Sequence, residues 1–288
     1  KSPAEGGVIL SKKSEIRNRN APFPSPNNLF DMTEIATRIA TKASLFLIDL
    51  AETTKLFFSA LILSLTSPPK WRHISSQMYS MGVLSLPVGY APNRLTGLVV
   101  SAQSYYLLHK ISMESTIGPL VSLSMTNELG PVITALIISG RVGAAMAAEL
   151  GTMKVTEQID ALRAMATSPT RYLVVPRLIS GVVMVPLLTA FSTFIGIVGG
   201  FVVAVSLKGV NSAFFQKSMF YWTDPEDVRT GLIKSVVFGI IIVIVACRRG
   251  FIAEGGAEGV GRAATQTVVI SCITILIVDF FLDMLLLY

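Results

Sequence analysis

Residues 128–176 read ELGPVITALIISGRVGAAMAAELGTMKVTEQIDALRAMATSPTRYLVVP: an apolar helix, a charged amphipathic segment, and a second apolar run. That order is a membrane span feeding a short surface helix. Gly140, Ala144 and Ala148, with Gly143, Ala147 and Gly151 beside them, recur at four-residue spacing. Small residues so placed let another backbone approach closely within a bilayer, so this helix is expected inside a bundle. Lys154, Glu157, Asp160 and Arg163 then arrive together, while Val155, Ile159, Leu162 and Ala166 keep one face apolar at helical spacing. Two readings of that segment stay open, a solvated loop helix or a docking helix for a soluble partner.

Composition agrees with a membrane setting. The 288 residues are 51% hydrophobic and only 15% charged, with a mean hydropathy of +0.62, whereas soluble domains carry about one quarter charged residues. The net charge of +6 does not point to nucleic acid, because the basic residues crowd the N-terminal arm and two of the loops. Cys247 and Cys272 both fall in apolar runs, which implies neither a disulfide framework nor a metal site.

Outward from the deciding stretch, residues 1–28 hold Lys12, Lys13, Arg17, Arg19 and a Pro-rich APFPSP, and read as a mobile cytosolic tail. Residues 29–73 are helical in pattern but divided by Asp49, Glu52 and Lys55, leaving an uncharged run from Leu56 to Ser67 that is shorter than the roughly 20 residues a span requires. They read as an interfacial amphipathic helix ended by Pro68 and Pro69 and anchored by Trp71, Arg72 and His73, with a further span as the alternative. Five spans are then expected at about 78–108, 117–146, 173–206, 231–247 and 264–287, so the predicted fold is an all-α integral membrane bundle. The first has an awkward centre, since Pro92 and Arg94 place a helix breaker and a charge at membrane depth. The helix is expected to be broken or displaced at Tyr90–Arg94. Gly196 and Gly200 are read as a close-packing pair in the third span.

Most Lys and Arg residues lie in the N-terminal arm, the segment with Lys154 and the loop with Arg248, while Lys110, Lys208, Lys217 and Arg229 lie on the other side. The positive-inside rule therefore places the N-terminus, the docking segment and the Gly250–Gly261 loop in the cytosol and the C-terminus outside. That Gly-rich loop lacks GxxxxGK[ST] and follows no strand, so it does not read as a nucleotide site. HExxH, GxSxG and a Cys/His cluster are absent as well, and no catalytic or metal-ligating set is expected. Ionisable groups within spans usually face a cavity or pathway. Glu128, Lys234 and Arg262 are the candidates, either flanking a polar pocket for an amphiphile with a charged headgroup or pairing between helices. Arg141, one turn before the docking segment, is read as orienting it.

The motifs YSMGVLSLP, NELGPVITALIISGRVGAAMAAELGTMKVTEQIDALRAM, YLVVPR, GLIKSVVFG and GGAEGVGRAATQTVV resemble, in order and spacing, the MlaE family. These are permease subunits of the MCE-associated ABC transporters that move phospholipids between bacterial membranes, with plastid relatives in chloroplast lipid import. The resemblance covers roughly residues 77–288. It implies a homodimer with an interfacial elbow helix before the first span, two ATP-binding ABC subunits on the cytosolic side and an MCE-domain lipid-binding protein opposite. The chain itself would carry no cofactor, ATP being used by the partner. Glu128, Lys234 and Arg262 would belong to a lipid cavity at the dimer interface. A coupling helix at about 155–165 would meet the ATPase, with Arg141, Glu149, Val155, Glu157, Ile159, Asp160, Leu162 and Arg163 as its candidate residues. The expected location is the bacterial inner membrane, with the chloroplast inner envelope as the alternative. Two other classes stay open: an intramembrane lipid-modifying enzyme using Glu128 and Lys234 as acid and base, and a scaffold anchoring an ATPase and an MCE protein. The sequence departs from the family pattern at PVGYAPNRLTGLVVSAQ and at Asn127, where many relatives carry arginine before the glutamate.

Overall fold

The computed structural model describes residues 32–66 and 71–286, and the elements among them are all helical. The chain divides into two units, residues 1–52 and 53–288. The first unit is described from Met32 and consists of the opening part of α1 (Met32–Thr66). The tail expected at 1–28 lies outside the described residues, as do Pro68 and Pro69. α1 runs without interruption past Asp49, Glu52 and Lys55 and ends at Thr66, whose hydroxyl donates to Ile62 O at 2.7 Å. Trp71, Arg72 and His73, expected to anchor the end of that helix, instead open a separate one, α2 (Trp71–Met81).

The first expected span, 78–108, is corrected by the structure. The chain turns at Gly82 and the 3-10 turn Val83–Ser85, and α3 (Leu86–His109) then continues unbroken through Tyr90–Arg94. Glycine suits position 82 because a side chain there would meet Met184 and approach Met78 O at 2.8 Å. Pro92 removes only one amide donor and crowds the carbonyl one turn back. That carbonyl belongs to Val88, 45% exposed, while the buried Asn93 beside it ties the helix inward, donating from Nδ2 to Gly89 O (3.2 Å) and Thr134 Oγ1 (3.1 Å).

α4 (Glu114–Val155) contains two π-turns, Met125–Leu129 and Ser139–Gly143. Thr156 and Glu157 break it, Glu157 with a positive φ of 60°, before the short α5 (Gln158–Ala164). The helix at this place, Gln158–Ala164, is thus shorter than the 155–165 expected, with Val155 in the end of α4 and Glu157 in the turn. α6 (Thr170–Leu207) follows. Gly97 of α3 faces Gly196 of α6 backbone to backbone, and a Cβ at Gly200 would lie 3.2 Å from Gly97 O, so the expected close-packing glycines bring α6 against α3. α2 docks on α6 as well: Ser180 Oγ donates to Ile74 O at 3.1 Å, and the His73 and Tyr172 rings meet edge to face at 5.3 Å.

The loop expected between the third and fourth spans contains a helix, α7 (Ser212–Trp222), capped by Asn211, whose side chain accepts from the amides of Ala213 and Phe214. An asparagine cap ahead of SAFFQKSMFYW was the available signal. α8 (Pro225–Phe251) begins with a capping box between Asp224 and Asp227. The Gly250–Gly261 loop is also corrected: α8 continues to Phe251 and α9 (Gly256–Leu286) starts at Gly256. Only the four residues between them, with Gly255 at φ +89°, make the turn. Gly250 serves close packing, since a Cβ there would press on Leu150 Cβ and lie 3.1 Å from Ala147 O, whereas Gly255 and Gly256 supply the positive φ of the turn.

The core is drawn from α4, α6, α8 and α9, with Ala147, Leu150, Leu178, Phe238, Ile242 and Ile275 almost fully buried. Gly143 and Gly151 supply the close approach read from the sequence: a Cβ at Gly143 would meet Ile242 at 3.3 Å, and one at Gly151 would meet Ala253 at 3.2 Å. Gly140, on the neighbouring stripe, meets nothing within 4 Å. Among the described residues, α4, α6, α8 and α9 are long and apolar enough to cross a membrane.

Candidate functional site: a buried ion cluster and a surface helix

The fully buried Lys234 of α8 is the centre of the first site. A buried ammonium needs compensating charge and hydrogen bonds, and here several helices supply them. Lys234 Nζ donates to Glu128 Oε1 at 2.7 Å and to the Asn127 carbonyl at 3.1 Å, both in the first π-turn of α4. From α9 it meets Asp279 Oδ1 at 3.3 Å and also Asp283 Oδ1. Asn127 Nδ2 in turn donates to Asp227 Oδ1 at 3.0 Å.

The local sequence explains why these groups converge. Gly231 lies one turn before Lys234, and a side chain there would run into Thr126 O, so glycine lets α8 lie against the π-turn backbone. The π-turn itself, closed by Gly130 N–H donating to Met125 O five residues back, widens α4 where Asn127 O accepts from Lys234. Asp279 and Asp283 are four residues apart and share one face of α9. Oxygens of Glu128, Asp279 and Asp283 all lie within 4.8 Å of one another, a spacing that suits a metal ion. In this structure the Lys234 ammonium pairs with all three. Beside the cluster, a cavity of about 250 Å³ is lined by Thr126, Thr193, Phe194, Ile197, Val228 and Leu232.

The structure brings Glu128 and Lys234 together and leaves Arg262 apart. Arg262 is exposed near the start of α9, 3.8 Å from Glu258, about 26 Å along the helix from Asp279. Asp279 and Asp283 were not singled out from the sequence. Two carboxylates at i and i+4 inside VDFFLDM were the signal, since acids in an apolar span need partners.

The second site is α5. Ile159 is buried and Leu162 packs against the same core, so these two hold the helix down. Glu157, Arg163 and Met165 point outward. Asp160 accepts from Lys154 Nζ at 2.8 Å and from Arg163 Nη1 at 3.0 Å, and this, the Lys154 bond first, holds its carboxyl below the usual range. Glu149 pairs with Arg177 at 2.8 Å, the arginine buried and the glutamate half exposed. Arg141 lies in the second π-turn.

Residues 74–285 match the model of the MlaE permease. This chain belongs to the MlaE permease family. Relatives of the permease include a probable ABC transporter permease protein of Rickettsia conorii, 44% identical over 226 residues that cover 78% of this chain and 87% of the relative. The intermembrane phospholipid transport system permease protein MlaE of Haemophilus influenzae is 39% identical over 72% of this chain and 79% of its own length. The chloroplastic protein trigalactosyldiacylglycerol 1 of Arabidopsis thaliana is 35% identical over 74% of this chain and 61% of its own length. The matched region takes in the whole ion cluster and α5.

Proposed function

We propose that this permease is the membrane subunit of an ABC transporter that moves phospholipids between membranes, driven by ATP hydrolysed on a separate subunit. The observation that carries this reading is the Glu128–Lys234–Asp279–Asp283 cluster, charged groups gathered within apolar spans beside an apolar cavity. An amphiphile needs those two surroundings side by side. The name of the Haemophilus relative, a phospholipid transport permease, supports the substrate class.

In this reading α3 adds a fifth crossing, α2 and the end of α1 form the interfacial elbow, and α5 is the coupling helix. Its outward Arg163 and the flanking Glu157 and Met165 meet the ATPase on the cytosolic side. A second copy packs on the exposed apolar face of α9, where Ile273, Ile277 and Phe280 stand out, and an MCE-domain protein meets the opposite end. The N-terminus is cytosolic and the C-terminus outside, in a bacterial inner membrane or the inner envelope of a chloroplast. The enzyme reading is less favoured, because Glu128 and Lys234 are bonded to each other at 2.7 Å rather than held apart as acid and base.

The test is reconstitution of the permease with its ATPase in vesicles, following transfer of a fluorescent phospholipid. ATP-dependent transfer that is lost in Glu128→Ala supports the reading. ATP-independent lipid turnover would instead identify an enzyme, and ATPase binding without any transfer a scaffold.

A further inference from the structure

At the end of the bundle that carries α5, α2 and α4 enclose a groove of about 260 Å³, lined by Ser76, Gln77, Ser80, Leu84, Arg141 and Glu149 among others. Its charges do not cancel. Glu149 is committed to Arg177 at 2.8 Å, which leaves Arg141 as the groove's uncompensated charge. Arg141 Nη1 is buried and makes no hydrogen bond, a costly state for a guanidinium donor. Around it stand groups suited to accompany an anion, the exposed hydroxyls of Ser76 and Ser80 and the Gln77 amide.

The surroundings specify what kind of anion. The groove's rim continues at Leu84 into an exposed apolar strip with Val83 and Val88, each close to half exposed. α2 exposes Trp71 and Tyr79, residues that favour the membrane interface. With a bilayer centred on the 42-residue α4, Arg141 lies about 10 Å and Glu149 about 22 Å from the midplane. The hydrocarbon edge is about 15 Å from it, so the groove straddles the boundary between acyl chains and headgroups. We infer that this groove binds the phosphate of a membrane phospholipid, with Arg141 and the α2 hydroxyls on the phosphate and the acyl chains along Leu84 and Val88. This phospholipid site is separate from the ion cluster and rests on the membrane setting of the proposed function.

The test uses the full chain alone, without ATPase or ATP, so its outcome is independent of whether transport occurs. The permease is placed in vesicles of digalactosyldiacylglycerol, a phosphate-free lipid, containing a phosphatidic acid with a diazirine near the glycerol. After illumination, labelled peptides are mapped. Labelling is expected at 76–84 and 141–149, competed by phosphatidylcholine and not by excess inorganic phosphate. Arg141→Gln is expected to lower it about ten-fold, the loss of one charged hydrogen bond. Ser80→Leu fills the groove while leaving Arg141 in place, and is expected to lower labelling even if the arginine variant fails to fold. Unchanged labelling in Ser80→Leu and in a folded Arg141→Gln overturns the site. Competition by inorganic phosphate would overturn the lipid assignment in favour of a free anion. In a separate pull-down that adds the ATPase, loss of its association in Arg141→Gln with labelling intact would overturn the lipid assignment and give the groove to the protein partner.

Discussion

The two π-turns of α4, Met125–Leu129 and Ser139–Gly143, each carry an ionisable residue, yet they end in opposite states. At the first, α8 and α9 bring one ammonium and further carboxylates to Glu128, and the cluster is closed around a fully buried Lys234. At the second, the acid that lines the groove, Glu149, is taken by Arg177, and Arg141 is left facing that open groove. The same backbone device thus yields a site whose ammonium is met by three carboxylates of the chain itself, with Asn127 Oδ1, Asp279 Oδ1 and Asp283 Oδ1 buried without a well-formed hydrogen bond, or one whose guanidinium faces an open groove. What decides is the chemistry the neighbouring helices deliver.

The sharpest way to break that contrast is Lys234→Ala. It strands Glu128, Asp279 and Asp283 without their cation, and removing one partner of a buried ion pair costs about 3–5 kcal/mol. A clear fall in thermal unfolding temperature is expected, partly restored by adding Asp279→Asn and Asp283→Asn; an unaltered transition would show that the cluster is not closed. Gly231→Ala acts on the same site through the backbone. Its methyl group would meet Thr126 O, with an expected cost of about 1–3 kcal/mol and faster hydrogen exchange at 125–130.

At the second π-turn the expected effects are smaller. Glu149→Ala leaves the buried Arg177 unpaired, but Glu149 is 55% exposed. The expected loss is about 1–2 kcal/mol, read from the same unfolding curves, and a loss equal to that of Lys234→Ala would erase the distinction between the two sites. The least effect concerns α5. Because Asp160 is held below its ordinary range by Lys154, its contribution is present above the usual aspartate pKa and fades as pH falls through the lowered value. Amide protection in α5 is expected to drop over that acid window in the native chain and to show no such step in Asp160→Asn.

Much of the bundle was legible because long apolar runs have few alternatives. α4, α6, α8 and α9 each contain an expected span, α6 close to both of its limits, while α4 runs on past 146 to Val155, α8 starts ahead of 231 at Pro225 and α9 ahead of 264 at Gly256; the expected glycines Gly196 and Gly200 do pack against another helix. What escaped depended on contacts remote in sequence. Met184, about a hundred positions away, packs where a side chain at Gly82 would lie, a contact with no local signal, whereas Pro92, which looked decisive locally, costs α3 only one hydrogen bond. The glycines at 250–261 suggested a loop, yet Gly250 is helical, and its missing side chain leaves room for Leu150 and Ala147. In the candidate site, Glu128 and Lys234 could be singled out as charges in apolar runs. The π-turn that exposes Asn127 O has no signature in hydrophobic periodicity, since GPVITALII after it is apolar on nearly every face and shows no stripe that an extra residue could shift.

The four-residue link between α8 and α9 gives the cluster a mechanical grain. Lys234, Asp279 and Asp283 ride on one hairpin, while Asn127 and Glu128 ride on α4. If the bundle opens here, it parts along a single seam, breaking the Lys234 bonds to Asn127 O and Glu128 and the Asn127–Asp227 bond together. The lysine would keep both aspartates as it went, so the hairpin side of the seam never carries a bare cation, and the carboxylate set free is Glu128.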